Sequence, residues 1–454
     1  MSIQRLNEVR KELESIGARQ LFGGESIQLA DKPPQAAPVK RVAIFAEAFL
    51  PKLDGVSKSA YLTLQYLEKT GREVMVFAPD FAPTHVSSSR VVPLRSFGMP
   101  FAPETRVGLM PNPGVGRLLD EFQPDLIHLF SPALLGVNGL IAGLNRKIPV
   151  IANYQTDLPG YTEHYGLNLL GKGLRDWLRT LHNRCHLTLA PSQYTLNQLQ
   201  TWGYHRLRTW GRGVDGNRFN PKHRSQEWRE RLLNGRDPNS LVCVYVGRLA
   251  YEKRVDLLLE VAKMPGVALT IIGDGAMREK LETLFAGTDT YFMGYLVGED
   301  LACAYASSDI FTFTGSNETF GQVVQEAMAS GLPSVVINEG GAGELVIQNK
   351  TGYTCSSDSQ SFVNAVQRLR DDSVLRQQMA IHARQFAEQR PWETVMGQLE
   401  GYYTEAIMLN ERLNSLYRSP KLARLTLPPL ALPNLARWRP FTQHPDLKSV
   451  GQRH

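Results

Sequence analysis

Cysteine is scarce and unpatterned. The four residues Cys185, Cys243, Cys303 and Cys355 form no Cys-x-x-Cys pair and no metal-like cluster. Nothing therefore points to a disulfide framework or a thiolate metal site, and a reducing, cytoplasmic compartment is expected. Long apolar runs are also missing: no stretch approaches the roughly 18 residues that a spanning helix needs. The opening Met1-Ser2-Ile3-Gln4-Arg5-Leu6 lacks the apolar run of a secretory signal, so secretion is not expected. A P-loop is absent, and so is any Asp-x-Asp, leaving no local carboxylate pair to hold a metal–diphosphate. A dinucleotide enzyme would carry Gly-x-Gly-x-x-Gly directly after its first strand. After Ala46 this chain runs through Glu47 and Pro51 to a single glycine, Gly55, which excludes that reading.

What is present is an ordinary globular composition, 43% apolar and 21% charged over 454 residues, with chain enough for one or two sizeable cores. The formal net charge is +6, but residues 412–454 alone carry eight Lys/Arg and one acid, so the other residues sum to −1. In that tail basic groups alternate with Leu425, Trp438 and Phe441. Such a mixture suits an anionic membrane surface, at about 1 kcal/mol per basic residue. It equally suits a solvated, charge-bearing tail broken by prolines. Nucleic acid is not expected as a partner, because the rest of the chain has no basic surplus to extend a footprint.

Residues 2–20 carry Ile3, Leu6, Val9, Leu13 and Ile16 at helical spacing, and the Pro-rich stretch 32–39 reads as a linker. Strands and helices then alternate. Strands are expected at 41–46, 73–78, 126–128, 150–152 and 187–190, with a helix from Ser57 to Thr70 ended by Gly71. After the Asn234-to-Pro238 break a second series follows, with strands at 242–246, 268–272, 309–313 and 334–337. Two successive series of this kind predict an α/β chain with two doubly wound Rossmann-like domains facing a cleft. The expected division is 1–40 (helix and linker), 41–236, 237–390, 391–411 (a returning helix) and 412–454 (basic tail).

Ligands of such sheets bind at the carboxyl ends of the strands. There the second series places Gly247-Arg248-Leu249 and then Glu252-Lys253; an arginine fork plus a lysine point charge suits a diphosphate. An ordinary loop with surface cations would read the same way. Further on, Glu318 precedes a short helix that starts near Gly321 and is closed by Gly331 and Pro333. Glu326 lies on that helix in a stripe with Gln322 and Gln325, which is either a ligand-facing edge or a solvent face.

Taken together, Gly247-Arg248-Leu249, Glu252-Lys253, Gly273-Asp274-Gly275 and the Glu318-x7-Glu326 helix resemble the family 4 retaining glycosyltransferases, which use nucleotide-diphosphate sugars on a two-Rossmann (GT-B) fold. The resemblance runs from about Arg41 to about Arg412. It implies that Arg248 and Lys253 bind the donor diphosphate, and that Glu326 holds the ribose hydroxyls. Glu318, with the backbone at Thr319, Phe320 and Gly321, would hold the donor sugar. Gly247, Gly273 and Asp274 belong to the same donor set, and Gly55 would approach the phosphate from the first domain. A helix after Trp392 would cross back onto that domain.

Tyr154-Gln155-Thr156-Asp157 and Arg212-Gly213-Val214-Asp215 resemble actinobacterial mannosyltransferases acting on glucuronosyl diacylglycerol. The stretches 220–227, Asn234-Gly235 and 289–296 resemble sulfoquinovosyltransferases instead. Those enzymes carry His where this chain has Gln155 and Asp157, so the cleft motif sides with the mannosyltransferases. Both groups imply a nucleotide-sugar donor and a diacylglycerol-type lipid acceptor at an anionic membrane, with a peripheral, cytoplasmic location and no metal or other cofactor. Tyr154, Gln155 and Asp157 would face the acceptor, and Asp157 and His128 could contact sugar or acceptor hydroxyls. His128 could equally be a hydrogen-bonded structural histidine. Within 166–184, Leu167, Leu170, Leu174, Trp177, Leu178 and Leu181 form one helical face, either a core face or a membrane-facing one. A glycosyltransferase with a soluble acceptor and a non-catalytic sugar-nucleotide binder are the remaining alternatives.

Overall fold

A computed structural model describes residues 37–52, 54–99, 102–158 and 168–417. The predicted helix over 2–20, most of the linker and nearly all of the basic tail lie outside the described residues. The chain divides after Asn410 into a compact unit that carries both sheets and a short C-terminal unit, 411–454.

The first sheet orders its strands β10-β9-β8-β7-β1-β2-β4-β3. These are β1 (Arg41–Ala46), β2 (Glu73–Pro79), β3 (His85–Val86), β4 (Ser89–Leu94), β7 (Leu126–Phe130), β8 (Val150–Asn153), β9 (Leu187–Ala190) and β10 (Leu207–Thr209). All pair in parallel except the edge pair β3–β4. Strands β5 (Ser96–Met99) and β6 (Ala102–Gly108) form a separate antiparallel pair. The second sheet is parallel throughout, in the order β13-β12-β11-β14-β15-β16. Its strands are β11 (Leu241–Val246), β12 (Val267–Ile272), β13 (Thr290–Gly294), β14 (Ile310–Phe313), β15 (Ser334–Ile337) and β16 (Gly352–Cys355).

Sequence and burial agree on why these are central strands. Val42, Ala43, Ile44, Phe45 and Ala46 are all fully buried, as are Val242 to Tyr245. An unbroken apolar run fits a strand covered by helices on both faces, and such strands belong to parallel sheets. The short edge strands β3, β10, β13 and β16 carry less apolar signal, and the sequence reading missed them.

Each sheet reverses its winding once. In the first, β2 and β7 flank β1; in the second, β12 and β14 flank β11. The crevices at the carboxyl ends of β1/β7 and β11/β14 are the topological switch points where such sheets bind ligands.

Helix α1 (Gly55–Lys69) follows β1, α2 (Leu135–Arg146) follows β7, and α3 (Asn168–His182) precedes β9. Helix α4 (Gln193–Thr201) follows β9, and α5 (Gln322–Ala329) lies between β14 and β15. The long helix α6 (Trp392–Tyr417) returns to the first sheet: Trp392, Val395, Met396, Leu399, Tyr403 and Ala406 join the core that contains Val42, Ile44 and Leu126. The return is pinned by a buried ion pair, Arg72 Nη2 to Glu400 Oε2 at 2.6 Å, and by Tyr66, which donates to Glu400 Oε1 at 2.8 Å.

Among the described residues no helix is long and apolar enough to cross a membrane. The apolar face of α3 faces inward: Leu178 and Leu181 are buried, Leu174 and Trp177 pack on the core, and Trp177 Nε1 donates to the Ala133 carbonyl at 3.0 Å. Over the described part of 166–184, the core reading holds and the membrane-facing one does not.

Candidate active site

The site forms where the two switch points meet. From the second sheet, the loop after β11 carries Gly247, Arg248 and Lys253, and the loop after β14 carries Glu318 to Gly321. Lys253 Nζ forms an ion pair with Glu318 Oε1, and Arg248 Nη2 reaches Glu252 Oε1 at 2.7 Å. The Arg248 side chain is 55% exposed and that of Lys253 only 13%. Thus both cations point into one loop cluster, but Lys253 is more buried than a surface loop would make it. Glu252, itself nearly buried, was not singled out from the sequence as the partner that holds Arg248.

The glycines of this cluster act through close approach. At Gly273 (φ +144°) an added Cβ would lie 1.9 Å from the Gly247 carbonyl, and at Gly275 (φ +156°) 2.3 Å from the Leu249 carbonyl. Neither position admits a side chain. Asp274 is 61% exposed, and its carboxylate accepts from the Gly275 N–H at 2.8 Å. Gly273 and Asp274 therefore support the clamp loop from behind.

Helix α5 starts at Gly321, which has φ +97° and offers no side-chain cap, so the first turn keeps donors for a ligand. Glu326 is buried, with Oε1 3.6 Å from Lys58 Nζ of α1. Gln325 is buried too, and Gln322 donates through Nε2 to the Gly213 carbonyl at 3.1 Å. The stripe of Gln322, Gln325 and Glu326 is not a solvent face; it looks into the junction between the two sheets. Thr319 Oγ1 donates to the Gln155 carbonyl at 2.9 Å, tying the loop before α5 to the loop after β8. Phe320 is buried behind it.

On the first-sheet side, Tyr154 is buried and donates through its hydroxyl to Asp157 Oδ1 at 3.1 Å. Burial and the adjacent Asp157 carboxylate push the Tyr154 hydroxyl pKa well up, so it stays a neutral donor. Gln155 is buried, with its side-chain Oε1 unpartnered among the described residues. These three residues do cluster at the carboxyl end of β8.

His128 does not join them. It lies mid-strand in β7 and is fully buried, with Nδ1 2.9 Å from the Tyr403 hydroxyl and Nε2 3.0 Å from Asn153 Oδ1. Burial depresses its pKa to about 4. With both ring nitrogens engaged inside the core, it has no face for a substrate hydroxyl. Its role is to join β7, β8 and α6, which corrects the expectation that it contacts sugar or acceptor hydroxyls and leaves the structural reading.

Gly55 lies beside a cation. Asp54 caps α1, accepting from Val56 N at 3.0 Å and Ser57 N at 2.9 Å in a capping box. The neighbouring α2 is met by the Glu47 carboxylate, which accepts from the N–H groups of Ala133, Leu134 and Gly136 at 2.7–2.9 Å. Both helix N-termini at this switch point are occupied by the chain's own acids. What Gly55 makes room for is a guanidinium: an added Cβ would lie 2.5 Å from Arg212 Nη1. Arg212, Lys58 and Glu47 are site-region residues that spacing arguments missed. The sequence signal for Arg212 was its place in the Arg212-to-Asp215 motif; Lys58 and Glu47 had none.

Among the described residues no group of three or more His, Cys, Asp and Glu is placed to hold a metal ion.

Comparison with known proteins gives the family. The family described as Glycosyltransferase Family 4 matches residues 53–218, and Glycosyl transferases group 1 matches residues 226–386. A GDP-mannose-dependent alpha-mannosyltransferase of Mycobacterium tuberculosis is 39% identical over 373 residues, 80% of this chain and 96% of that one. A sulfoquinovosyl transferase of Arabidopsis thaliana is 33% identical over 413 residues, 88% of this chain and 79% of that one. Among solved structures, HepE of Anabaena in complex with UDP-glucose superposes with a TM-score of 0.61 at 22% identity, covering 83% of this chain and 100% of that one. With two doubly wound sheets whose switch points meet, and with these relatives, the chain belongs to the family 4 glycosyltransferases of GT-B fold.

Proposed function

We propose that the chain transfers a mannosyl group from GDP-mannose, with retention at the anomeric carbon, to a diacylglycerol-type glycolipid acceptor. The observation that carries the transferase chemistry is the convergence of Arg248, Lys253, Glu318, Glu326 and the uncapped start of α5 on one crevice. Donor identity rests on the 39% identical relative named for GDP-mannose. The lipid acceptor is supported by the basic, Leu- and Trp-bearing sequence of 412–454.

In this reading the donor's arrival exchanges partners. Lys253 and Arg248 turn from Glu318 and Glu252 to the diphosphate oxygens. The freed Glu318 accepts from the donor sugar's hydroxyls together with the backbone of Thr319 to Gly321, and Glu326 accepts from the ribose. As the glycosidic bond lengthens, negative charge gathers on the leaving phosphate, and preplaced cations stabilise it there. On a front-face path the departing phosphate oxygen takes the acceptor hydroxyl's proton. No strong side-chain base is then needed, consistent with Gln155 where a base would otherwise stand. Charge neutralisation falls to the side-chain cations, so the reaction proceeds without a metal and persists in excess EDTA.

The second reading is sulfoquinovosyl transfer from UDP-sulfoquinovose to diacylglycerol, favoured by the sulfoquinovosyl transferase that aligns over 88% of this chain. One assay separates the two. The protein is given GDP-mannose, UDP-glucose or UDP-sulfoquinovose with lipid acceptors in mixed micelles, and the product anomer is read by proton NMR. Transfer from GDP-mannose giving an α-linked product is expected; turnover with UDP-sulfoquinovose alone would select the second reading.

A further inference from the structure

Arg212 is the one cation of this crevice for which no hydrogen-bond or ion-pair partner exists among the described residues, and its Nε is sealed from solvent with nothing to donate to. Arg212 as a whole is partly buried, and a guanidinium carries five donors and a fixed charge, so a sealed Nε with no acceptor is costly. Its surroundings define what it can serve. Nη1 lies against Gly55, whose missing side chain creates the space. The carboxylates that act on it electrostatically are Glu318, Asp54 and Glu326. Glu318 is the partner of Lys253 in the clamp, and Glu326 is the ribose-side acid. The group that links a sugar at Glu318 to a ribose at Glu326 is the diphosphate. The first domain's other anion-binding features, the N-termini of α1 and α2, are already filled by Asp54 and Glu47.

Resting on the nucleotide-sugar reading above, we propose that Arg212 is a donor-binding residue whose guanidinium grips the β-phosphate from the first domain, opposite Arg248 and Lys253. Its position adds a second consequence. Gly213 lies so close to α6 that an added Cβ would be 2.3 Å from Trp392 Cα; the Gly213 carbonyl accepts from Gln322 of α5; and Val214 N donates to the Arg390 carbonyl at 3.0 Å. A phosphate held by Arg212 is therefore tied to the segment of chain that joins the two sheets.

The test is calorimetric titration of the full chain with GDP and GMP, and with UDP and UMP, for wild type, Arg212→Gln and Arg212→Lys. Loss of a charge-assisted contact weakens binding about tenfold or more. Arg212→Gln is expected to lose that much for the diphosphate and to hold monophosphate affinity within about twofold, because the monophosphate lacks the β-phosphate. Arg212→Lys, which keeps the charge but not the fork, is expected to fall between, and carries the test by itself should the Gln variant not fold. Wild-type GDP affinity in both variants would overturn the proposal and move the anion to a sugar substituent. Parallel loss of mono- and diphosphate affinity would overturn it in favour of a structural role. A wild-type chain that binds neither GDP nor UDP would instead sink the nucleotide-sugar reading, and this proposal with it.

Discussion

Arg248 and Lys253 look alike as a clamp, yet their surroundings separate what their loss should do. Either alanine variant removes a charge that matters most as the leaving phosphate forms, so kcat is expected to fall about 100-fold or more. Arg248 is over half exposed, but its i,i+4 partner Glu252 is nearly buried, so Arg248→Ala should lower the melting temperature modestly, with water able to reach the carboxylate from the exposed side. Lys253→Ala strands Glu318 in a mostly buried pair and should lower the melting temperature as well. Steady-state assays with thermal melts of both variants check this; full turnover in either removes it from the clamp. Glu326→Gln should raise the donor KM and weaken free nucleotide about tenfold by calorimetry, the loss of one charge-assisted contact. Unchanged nucleotide affinity would leave Glu326 as no more than the partner of Lys58.

Among the elements, α6 fastens several segments of the first domain. Its Glu400 is almost fully buried, accepts from Arg72, Tyr66 and the Ala37 N–H, and so fastens β2, α1 and the chain before β1 at one carboxylate. Replacing a buried ion pair with apolar groups can be neutral, but removing one partner leaves an uncompensated charge and costs about 3–5 kcal/mol. Glu400→Ala should therefore lower the unfolding free energy from denaturant titration by that amount, while an Arg72→Met/Glu400→Leu double variant recovers much of it. Equal losses in single and double variants would show that shape, not charge, decides the contact. The same helix explains His128, whose Nδ1 meets Tyr403.

Over the whole molecule, three buried histidines give stability a pH dependence of definite sign. Burial depresses His128 to about 4, His182 to about 3 and His186 to about 4. The unfolded chain then binds more protons than the folded one between pH 3–4 and the free-histidine value near 6.5, so stability is fully present above that value and falls as pH drops through the window. Each such histidine adds up to about 1.4 kcal/mol per pH unit to the slope. Thermal melts from pH 8 to 4 should be flat at first and then fall, and a flat profile to pH 4.5 would show that the histidines are hydrated. A separate expectation concerns residues 418–454, which hold seven Lys/Arg and one acid. A chain ending at Tyr417 should bind nucleotide normally yet lose salt-sensitive binding to anionic vesicles, since about 1 kcal/mol accrues per basic residue at such a surface. Unchanged vesicle binding would place the membrane contact elsewhere.

What the sequence determined by itself was local and periodic. Unbroken apolar runs such as Val42 to Ala46 and Val242 to Tyr245 announce parallel strands, because only strands buried on both faces have no need of polar positions. The two βα series set the fold class, and Gly247 to Lys253 with Glu318 to Glu326 set most of the donor side, because each group lies within a single short stretch of chain. Tertiary structure decided everything that depends on a meeting between distant segments. Glu326 became a buried acid by meeting Lys58, and Gly55 became a space for Arg212, over separations that carry no period. His128 was left undecided in the sequence, since a strand-end and a mid-strand histidine look the same until α6 arrives to cover one of them. The same holds for α3, whose apolar stripe suits a core and a membrane equally until burial of Leu178 and Leu181 shows which solvent it avoids.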